Sequence, residues 1–165
     1  MGNMGLEFGL EKGKYCKRKN RYLVFIDGVS CEGVDALPPL SSSRPNLGFK
    51  EMIAKHVSED VYYAAKPEWR PINLVLYDLK KNKHPVFEWI KEIYDPKTGR
   101  FSPPNSGDFI KSARVILTDG CGNTIETWNL EDVWPQVANF QELDMGSADV
   151  ITVDLTLRYV RAYIS

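Results

Sequence analysis

The sequence has few of the residues that usually form catalytic or metal centres. Its two histidines, His56 and His84, are far apart and lack the spacing of metal ligands. The three cysteines include no C-x-x-C pair, so neither a zinc site nor a redox motif is indicated. The glycine-rich "DGCGN" (119–123) lies between two predicted strands, whereas a phosphate loop leads into a helix. We therefore expect that the protein is not an enzyme and needs no cofactor or metal.

Long apolar segments are also missing. No apolar run approaches the roughly 20 residues that span a bilayer, and the opening "MGNMGLEFGLEKGK" lacks the apolar core of a signal peptide. We expect neither membrane association nor Sec export. The composition, 43% hydrophobic and 26% charged over 165 residues, is that of a globular domain able to bury a core without metals or disulfides.

The formal net charge of −1 hides a strong asymmetry along the chain. Residues 12–21 include six basic side chains and no acidic one, whereas residues 115–157 include eight acidic side chains and no basic one. The six basic residues are Lys12, Lys14, Lys17, Arg18, Lys19 and Arg21. Such asymmetry favours self-association or a charged partner, and the alternative is a solvated arm and a solvated acidic face. We accordingly divide the chain into an N-terminal arm, 1–20, and a β domain, 21–165.

Apolar patterning predicts that this domain is mainly β. The predicted strands are 22–28, 60–65, 72–79, 109–119, 123–130 and 149–163. In the last of them, Ile151, Val153, Leu155, Leu157 and Tyr159 alternate with polar residues, so they form one apolar face. Short connections between the strands favour an antiparallel β-sandwich or half-open barrel.

Two short helices are predicted beside these strands. Pro85 suits the first position of a helix over 84–95. Residues 49–57 place apolar side chains four residues apart, which predicts a second helix within a loop-rich insert around 35–58. We expect the helices to cover one end of the strands.

An ordered set of segments resembles one known family. The segments are "FIDGVSCEGVDAL" (25–37), "VFEWI" (86–90), "ARVILTDGCGNTIETWNL" (113–130), "VWP" (133–135), "ELD" (142–144) and "DVITVDLTLRY" (149–159). Together they cover most of residues 22–160 and resemble the tail tube proteins of contractile-tailed bacteriophages.

The resemblance implies a structural protein of a virion tail that is assembled in the host cytoplasm. Members of that family form hexameric rings that stack into a tube inside the contractile sheath. Each subunit contributes roughly four strands to a continuous inner β-barrel, and this closure removes exposed strand edges. The tube would be the conduit for DNA ejection, and DNA would pass without specific binding. The other implied partners are the sheath protein, the baseplate hub or initiator, the tail terminator and the tape-measure protein.

Three alternatives remain open from the sequence. The arm and the insert depart from the family pattern, which suits a baseplate-end or terminal tube protein. A phage-like injection system would use a similar tube to pass protein cargo. A monomeric β-sandwich binding module, with exposed aromatic side chains as its ligand platform, belongs to another class.

The resemblance also suggests a role for the "WNLEDVWP" segment. Proline cannot donate to a sheet ladder. In the family's fold, Pro135 would end the ladder of its strand and form a structural corner. Trp134 would fill the core at the bend, and Trp128 would lie near the end of the strand before it.

A tube that passes DNA is expected to have a polar lumen that is acidic or neutral, because basic side chains would bind the phosphates. Five residues on the polar faces of the predicted strands are candidates to face the lumen: Thr124, Glu126, Thr152, Asp154 and Thr156. The alternative is that these faces form the tube's exterior beneath the sheath.

The basic arm and the cysteines are candidates for contacts between subunits. The arm would lie on an acidic surface of the next subunit or ring. Cys16, Cys31 and Cys121 are odd in number and cannot all pair within one chain. We expect three reduced thiols, as in other proteins made in cytoplasm, and the alternative is a disulfide between subunits that involves Cys16 of the arm.

Overall fold

The computed structural model describes residues 17–30, 36–79, 83–103 and 107–165. This part of the chain forms twelve strands and one helix. In chain order these are β1 (Tyr22–Ile26), β2 (Ala36–Leu37), β3 (Pro39–Ser42), β4 (Asn46–Lys55), β5 (Asp60–Arg70), β6 (Ile72–Tyr77), α1 (Pro85–Ile93), β7 (Tyr94–Asp95), β8 (Arg100–Phe101), β9 (Lys111–Thr118), β10 (Thr124–Asn139), β11 (Thr152–Arg158) and β12 (Arg161–Ile164). The predicted class, mainly antiparallel β with a short helix, is confirmed.

Eight strands form one antiparallel sheet in the order β2-β1-β9-β10-β11-β6-β3, with β12 added against β10. The long strand β10 joins two halves of this sheet. Its first part pairs with β9 and β12, and its second part pairs with β11. The first half therefore contains β2, β1, β9 and β12, while the second contains β11, β6 and β3.

The chain passes between the two halves through an irregular stretch of β10. Asp132 has a φ of 54°, and the pairing register shifts between Leu130 and Val133. A second register shift follows Pro135. Such bulges bend a strand and increase its twist, so one strand can serve both halves.

This geometry corrects the predicted corner. The strand does not end at Pro135, which is buried within β10 opposite Leu157. Proline is tolerated there because a bulge interrupts the regular ladder. Trp134 is only half-buried, and the residue that fills the core at the bend is Val133. Trp128 lies earlier in β10, before the bend, and packs against the core from a partly buried position.

The core lies between the apolar faces of the two halves. Strand β11 contributes Val153, Leu155 and Leu157, which alternate with polar residues as predicted. Tyr159 continues this buried face, but Ile151 does not, because it lies before the strand begins and is exposed. The other fully buried side chains come mainly from β1, β6, β9, β10 and α1.

Helix α1 covers this core at one end, as predicted. His84 caps its N-terminus by accepting a hydrogen bond from the Val86 backbone N–H at its Nδ1 atom, at 3.3 Å, and Pro85 occupies the first turn. Val86 and Trp89 are buried, and the Trp89 indole N–H donates to the Phe109 carbonyl at 2.7 Å. The buried face of α1 thus ties the helix to the segment that precedes β9.

The second predicted helix, 49–57, is wrong. Residues 49–55 belong to β4 and 56–57 to the turn that follows it; β4 pairs with β5 in a separate two-stranded hairpin over residues 46–70. The segment that shows the four-residue spacing is too short for that pattern to distinguish a helix from a strand. The partner segment in β5 contains Val61, Tyr62 and Tyr63, residues that favour strands, and cross-strand pairing decides the conformation.

Candidate assembly surfaces

A cavity lined by basic side chains lies beside the start of β1. We call it the basic cavity, and it has a volume of about 310 Å³. Its lining residues are Lys17, Arg18, Lys19, Tyr22, Ser42, Arg44, Val115 and Leu117. Strands β1 and β9 supply its apolar wall, while the segments before β1 and after β3 supply its charges. The structure thus brings part of the predicted basic arm together with Arg44, which the sequence patterns did not single out.

Glu126 lies against this cavity and is buried, with only 7% of its surface exposed. Its carboxylate accepts hydrogen bonds from the Lys17 ammonium and the Trp128 indole N–H, and Arg44 Nη1 lies 3.7 Å from its Oε1 atom. The hydrogen bond from Lys17 is the main cause that lowers the pKa of Glu126, and the indole N–H adds to it, while burial acts in the opposite direction. Glu126 is therefore an ionised group, and its contact with Lys17 joins the segment before β1 to β10.

The position of Glu126 corrects its predicted place on a lumen-facing polar surface. The β9–β10 register shifts between Thr124 and Glu126, so one residue of β10 is left unpaired there. Because side chains alternate along a strand, Glu126 shares the face of Trp128 and Leu130, and the shift puts Thr124 on the opposite face. Thr124 remains on the outer face and is exposed.

Tyr22 places a polar atom in the same region without a partner. Its hydroxyl oxygen is buried and has no hydrogen bond to any described residue. Burial, with a smaller effect of Tyr77, raises the pKa of Tyr22, so the hydroxyl keeps its proton and is available as a donor. A buried donor without an acceptor costs about 1–3 kcal/mol, so an acceptor entering the cavity would relieve this cost.

The remaining residues of the predicted arm divide into two groups. The Arg21 guanidinium donates to the Asp119 carbonyl in the β9–β10 turn, so Arg21 contacts its own chain. Arg18 and Lys19 are exposed, and neither forms an ion pair within the part of the chain described. Lys12 and Lys14 lie outside the described residues. That the arm contacts the next subunit remains a prediction.

The β9–β10 connection is a tight turn, as the sequence predicted. The Asp119 side chain accepts hydrogen bonds from the backbone N–H groups of Cys121 and Asn123, at 2.7 and 3.1 Å. Hydrogen bonds from Asn123 and Cys121 lower the pKa of Asp119. Cys121 is exposed with a free thiol. Cys16 and Cys31 lie outside the described residues, so the proposed disulfide between subunits stays a prediction.

An acidic segment connects β10 to β11. We call residues 140–151 the acidic loop, and they include Glu142, Asp144 and Asp149 with no basic residue. Leu143 and Met145 are 82% and 106% exposed, so the loop also presents apolar side chains to solvent.

Contacts at both ends fix the acidic loop. The Phe140 ring stacks on Phe87 of α1, with ring centroids 4.1 Å apart. The Gln141 side-chain amide donates to Asp154, and the Asp78 backbone N–H donates to the Ile151 carbonyl at 3.1 Å. Only the middle of the loop therefore projects from the body.

Three further lumen candidates lie on the polar face of β11. Thr152, Asp154 and Thr156 point away from the core and are partly exposed. The Thr156 hydroxyl lies 3.2 Å from the Asn73 side-chain oxygen on β6. Whether this face lines a lumen remains a prediction.

The β4–β5 hairpin exposes an unusual amount of apolar surface. Cross-strand pairs place Ile53 beside Tyr62 on one side and Met52 beside Tyr63 on the other, and all four are 45–60% exposed. At its base, Trp69 contacts the ring of Tyr159, and Tyr159 Oη donates to the Arg70 carbonyl at 2.8 Å. The hairpin is thus anchored at one end and projects from the sheet. The sequence reasoning missed it because the segment was divided between a helix and a short strand.

Within the described residues, no group of three or more His, Cys, Asp and Glu side chains is placed to hold a metal ion. No helix in the same part of the chain is long and apolar enough to cross a membrane.

No protein-family model and no curated protein matches the chain. Solved structures do. A chain in the cryo-EM structure of the sheath/tube terminator of an extracellular contractile injection system, PVC, aligns with a TM-score of 0.74 and 18% identity, over 93% of this chain and 99% of that one. A chain in the sheath-tube complex of the same kind of system gives 0.73 and 17%, over 93% of each.

A third similar chain comes from the baseplate of the anti-feeding prophage, reconstructed with six-fold symmetry. Its TM-score is 0.70 and its identity 13%, over 92% of this chain and 97% of that one. At such identities the likeness establishes the fold. The predicted resemblance to contractile tube proteins is thus confirmed at the level of the fold, which this chain shares over nearly its whole length with chains of contractile injection machinery.

Proposed function

We propose that this protein is a structural subunit whose copies form six-membered rings and stack into the inner tube of a contractile assembly. The observation that supports this most is the fold shared over 92–93% of the chain with chains from a sheath-tube complex, a tube terminator and a six-fold baseplate.

The exposed apolar hairpin is a second, independent support. A two-stranded hairpin is marginally stable alone in water, and β4–β5 presents aromatic and aliphatic side chains on both sides. Burial of such side chains contributes roughly 25 cal/mol per Å². Packing of the hairpin against another copy would explain why this surface is apolar.

Ring assembly would also remove the sheet edges. Strands β3 and β2 lie at the two ends of the described sheet order, so each has an unpaired side. Exposed edges pair readily with other chains, and closure into a barrel satisfies them. In this arrangement the polar face of β11, with Thr152, Asp154 and Thr156, is the proposed lumen surface.

Two versions of this function differ in what the tube delivers. In the version that the sequence segments suggest, the tube belongs to a virion tail and passes DNA, with the sheath, baseplate hub, terminator and tape-measure protein as partners. In the other, it belongs to a phage-like injection system. The likeness to chains of an extracellular contractile injection system favours the second version. The terminator structure is also compatible with a role at the end of the tube.

Sedimentation of the purified protein over a range of concentrations, with negative-stain microscopy of the same samples, tests the proposal. Rings or tubes of uniform diameter are expected, either alone or after co-production with the neighbouring sheath and baseplate proteins. A protein that stays monomeric in both settings contradicts the proposal and supports the monomeric binding module instead.

A further inference from the structure

The basic cavity has more positive charge than the described part of its own chain compensates. Four cationic side chains line it, and one carboxylate, Glu126, lies against it. Lys17 and Arg44 share that carboxylate, whereas Arg18 and Lys19 have no ion-pair partner among the described residues. The cavity is therefore set up to receive anionic groups.

The cavity is also only partly polar. Val115 and Leu117 of β9 and the ring of Tyr22 form its wall, and the unpartnered Tyr22 hydroxyl is buried in the same region. A fitting occupant would combine carboxylates for the cations, an acceptor for this hydroxyl and an apolar side chain for the wall. A volume of about 310 Å³ suits a few side chains of a loop.

The acidic loop has this combination. It contributes three carboxylates without a compensating base, which equals the number of cations in the cavity that Glu126 does not balance. Between two of those carboxylates, Leu143 and Met145 are almost fully exposed. The Phe87–Phe140 stack holds the base of the loop, which limits the conformational entropy lost on docking.

Within one chain, different strands of the second half of the sheet hold the loop and the charged side of the cavity. Ser43, next to Arg44 of the cavity, forms hydrogen bonds with Asn73 at the start of β6. Ile151 of the loop is hydrogen-bonded to Asp78, just past the end of β6. Five residues of extended chain separate these two contacts, which is about 16 Å. No hydrogen bond or ion pair among the described residues joins the loop to the cavity within one chain, so the exposed middle of the loop is available to the cavity of a second copy.

We propose that the acidic loop of one copy docks into the basic cavity of the next copy. Because the two surfaces differ, the contact is heterologous and can repeat head to tail, which builds an extended assembly. The inference rests on the proposed function and specifies one contact of the tube. It assigns Arg18 and Lys19 as cations for the loop of the neighbour, and Tyr22 as a hydrogen-bond donor to one of its carboxylates.

Mixed cysteine variants test the contact directly. In a background with Cys16, Cys31 and Cys121 changed to Ser, Ser42→Cys is placed in the cavity of one preparation and Leu143→Cys in the loop of another. Mixing and oxidising the two under assembly conditions is expected to give a disulfide-linked dimer that contains one of each. The matched control replaces Leu143→Cys with Lys97→Cys, which lies in an exposed turn. It is expected to give at least about tenfold less dimer, a ratio that corresponds to a free-energy difference of about 1.4 kcal/mol.

A charge exchange gives a second readout. Lys19→Glu and Glu142→Lys each place like charges together and are expected to raise the concentration needed for assembly about tenfold or more, because the contact recurs in every copy. The double variant restores the opposite pair and is expected to assemble within about threefold of the unmodified protein. Asp108→Lys, an exposed reversal elsewhere, is the control and leaves the concentration unchanged.

The outcomes separate the inference from the proposed function. If tubes form normally but the cysteines at positions 42 and 143 do not cross-link, the inference is overturned and the proposed function is not. The same holds if the double variant Lys19→Glu with Glu142→Lys does not restore assembly. Equal cross-linking with Lys97→Cys also overturns the inference. Failure of the unmodified protein to assemble in any setting overturns both.

Discussion

At the scale of single residues, Glu126 has the most consequential environment. It is buried, ionised and joined to Lys17, Arg44 and Trp128, so it connects the segment before β1 to β10. Lys17 and Arg44 are half-exposed or more, and solvent weakens their attraction to the carboxylate. The burial of Glu126 itself makes its hydrogen bonds important for stability.

Glu126→Gln should lower the free energy of unfolding by about 1 kcal/mol, because the amide accepts weaker hydrogen bonds from Lys17 and also places a donor near the indole N–H. Glu142→Gln, in the exposed acidic loop, is the matched control with little expected effect. Urea unfolding of the unassembled chain measures both. Equal stability of the two variants would show that the Glu126 contacts are not important for the fold.

His84 should make stability depend on pH. Burial lowers its pKa below the usual 6.5, despite opposing effects of Asp78 and Tyr77, and its Nε2 atom has no hydrogen-bond partner among the described residues. Because the folded state binds the proton more weakly than the unfolded state, stability is complete above pH 6.5. It falls as the pH drops from there toward the lowered pKa of the folded state.

His84→Asn should remove this loss, because Asn also caps helices and does not titrate. The slope for the unmodified chain is at most about 1.4 kcal/mol per pH unit. Thermal unfolding is measured between about pH 5 and 8, the range in which histidine changes charge. His56→Asn, at the exposed hairpin turn, is the control. The interpretation fails if His84→Asn keeps the slope of the unmodified chain.

At the scale of elements, the central feature is the bend in β10. The strand changes partners where Asp132 adopts a positive φ of 54°, and Asp132 itself is exposed. A left-handed conformation costs an ordinary residue roughly 1–2 kcal/mol, and β-branched residues more. The backbone at this position, rather than side-chain contacts, should therefore determine which substitutions are tolerated.

Asp132→Gly is expected to leave the stability nearly unchanged, since relief of strain offsets the added flexibility of glycine in the unfolded chain. Asp132→Val is expected to lower it by more than about 1 kcal/mol. Chemical unfolding of the two variants side by side gives the comparison. A valine variant as stable as the glycine variant would mean that β10 bends elsewhere.

The β4–β5 hairpin should be needed for assembly but not for folding. Changing Ile53 and Tyr62 together to Ser removes apolar surface that is about half exposed, so the unassembled chain should lose little stability, within about 0.5 kcal/mol. Assembly should become much weaker. Val160→Ser, which is 61% exposed near β12, is the control for a general loss of surface hydrophobicity. Sedimentation and circular dichroism together distinguish loss of assembly from loss of fold.

The elements show why the sequence predicted some features and not others. The alternation in β11 and the capped α1 are local patterns, so Val153, Leu155 and the Pro85 start were predicted correctly. The insert was wrong because the apolar spacing in 49–57 fits a helix, whereas pairing with β5 is a contact across the hairpin. Glu126 was expected to share a polar face with Thr124, but a bulge between them puts the two on opposite faces. Alternation with Trp128 and Leu130 places Glu126 on the core side.

At the scale of the whole molecule, charge and apolar surface are separated in space. The basic cavity is lined by β1, β9 and the segments next to β1 and β3, the acidic loop connects β10 to β11, and the apolar hairpin projects from the body. The basic arm and base-free C-terminal region of the sequence indicated such polarity, but Arg44 joined the cavity only through folding. This distribution suits a repeating, directional assembly.

The salt dependence of assembly follows from the same distribution. Contacts between the acidic loop and the basic cavity are partly exposed, so raising the ionic strength from 0.05 to 0.5 M (a roughly threefold shorter screening length) should weaken assembly. Removal of residues 1–20, which deletes Lys17, Arg18 and Lys19, should reduce that dependence. Light scattering across the salt series measures both, and an unchanged dependence after the deletion contradicts the role of these cations.

The central claim is that copies of this chain close into six-membered rings around a hollow centre. A cryo-EM reconstruction of the assembled protein, made without imposed symmetry, tests it most directly. We expect six copies in each ring, stacked rings, and a lumen lined by the polar face of β11 with Thr152, Asp154 and Thr156. A different closed number, a solid filament, or a lumen lined mainly by Lys and Arg or by apolar side chains would contradict it.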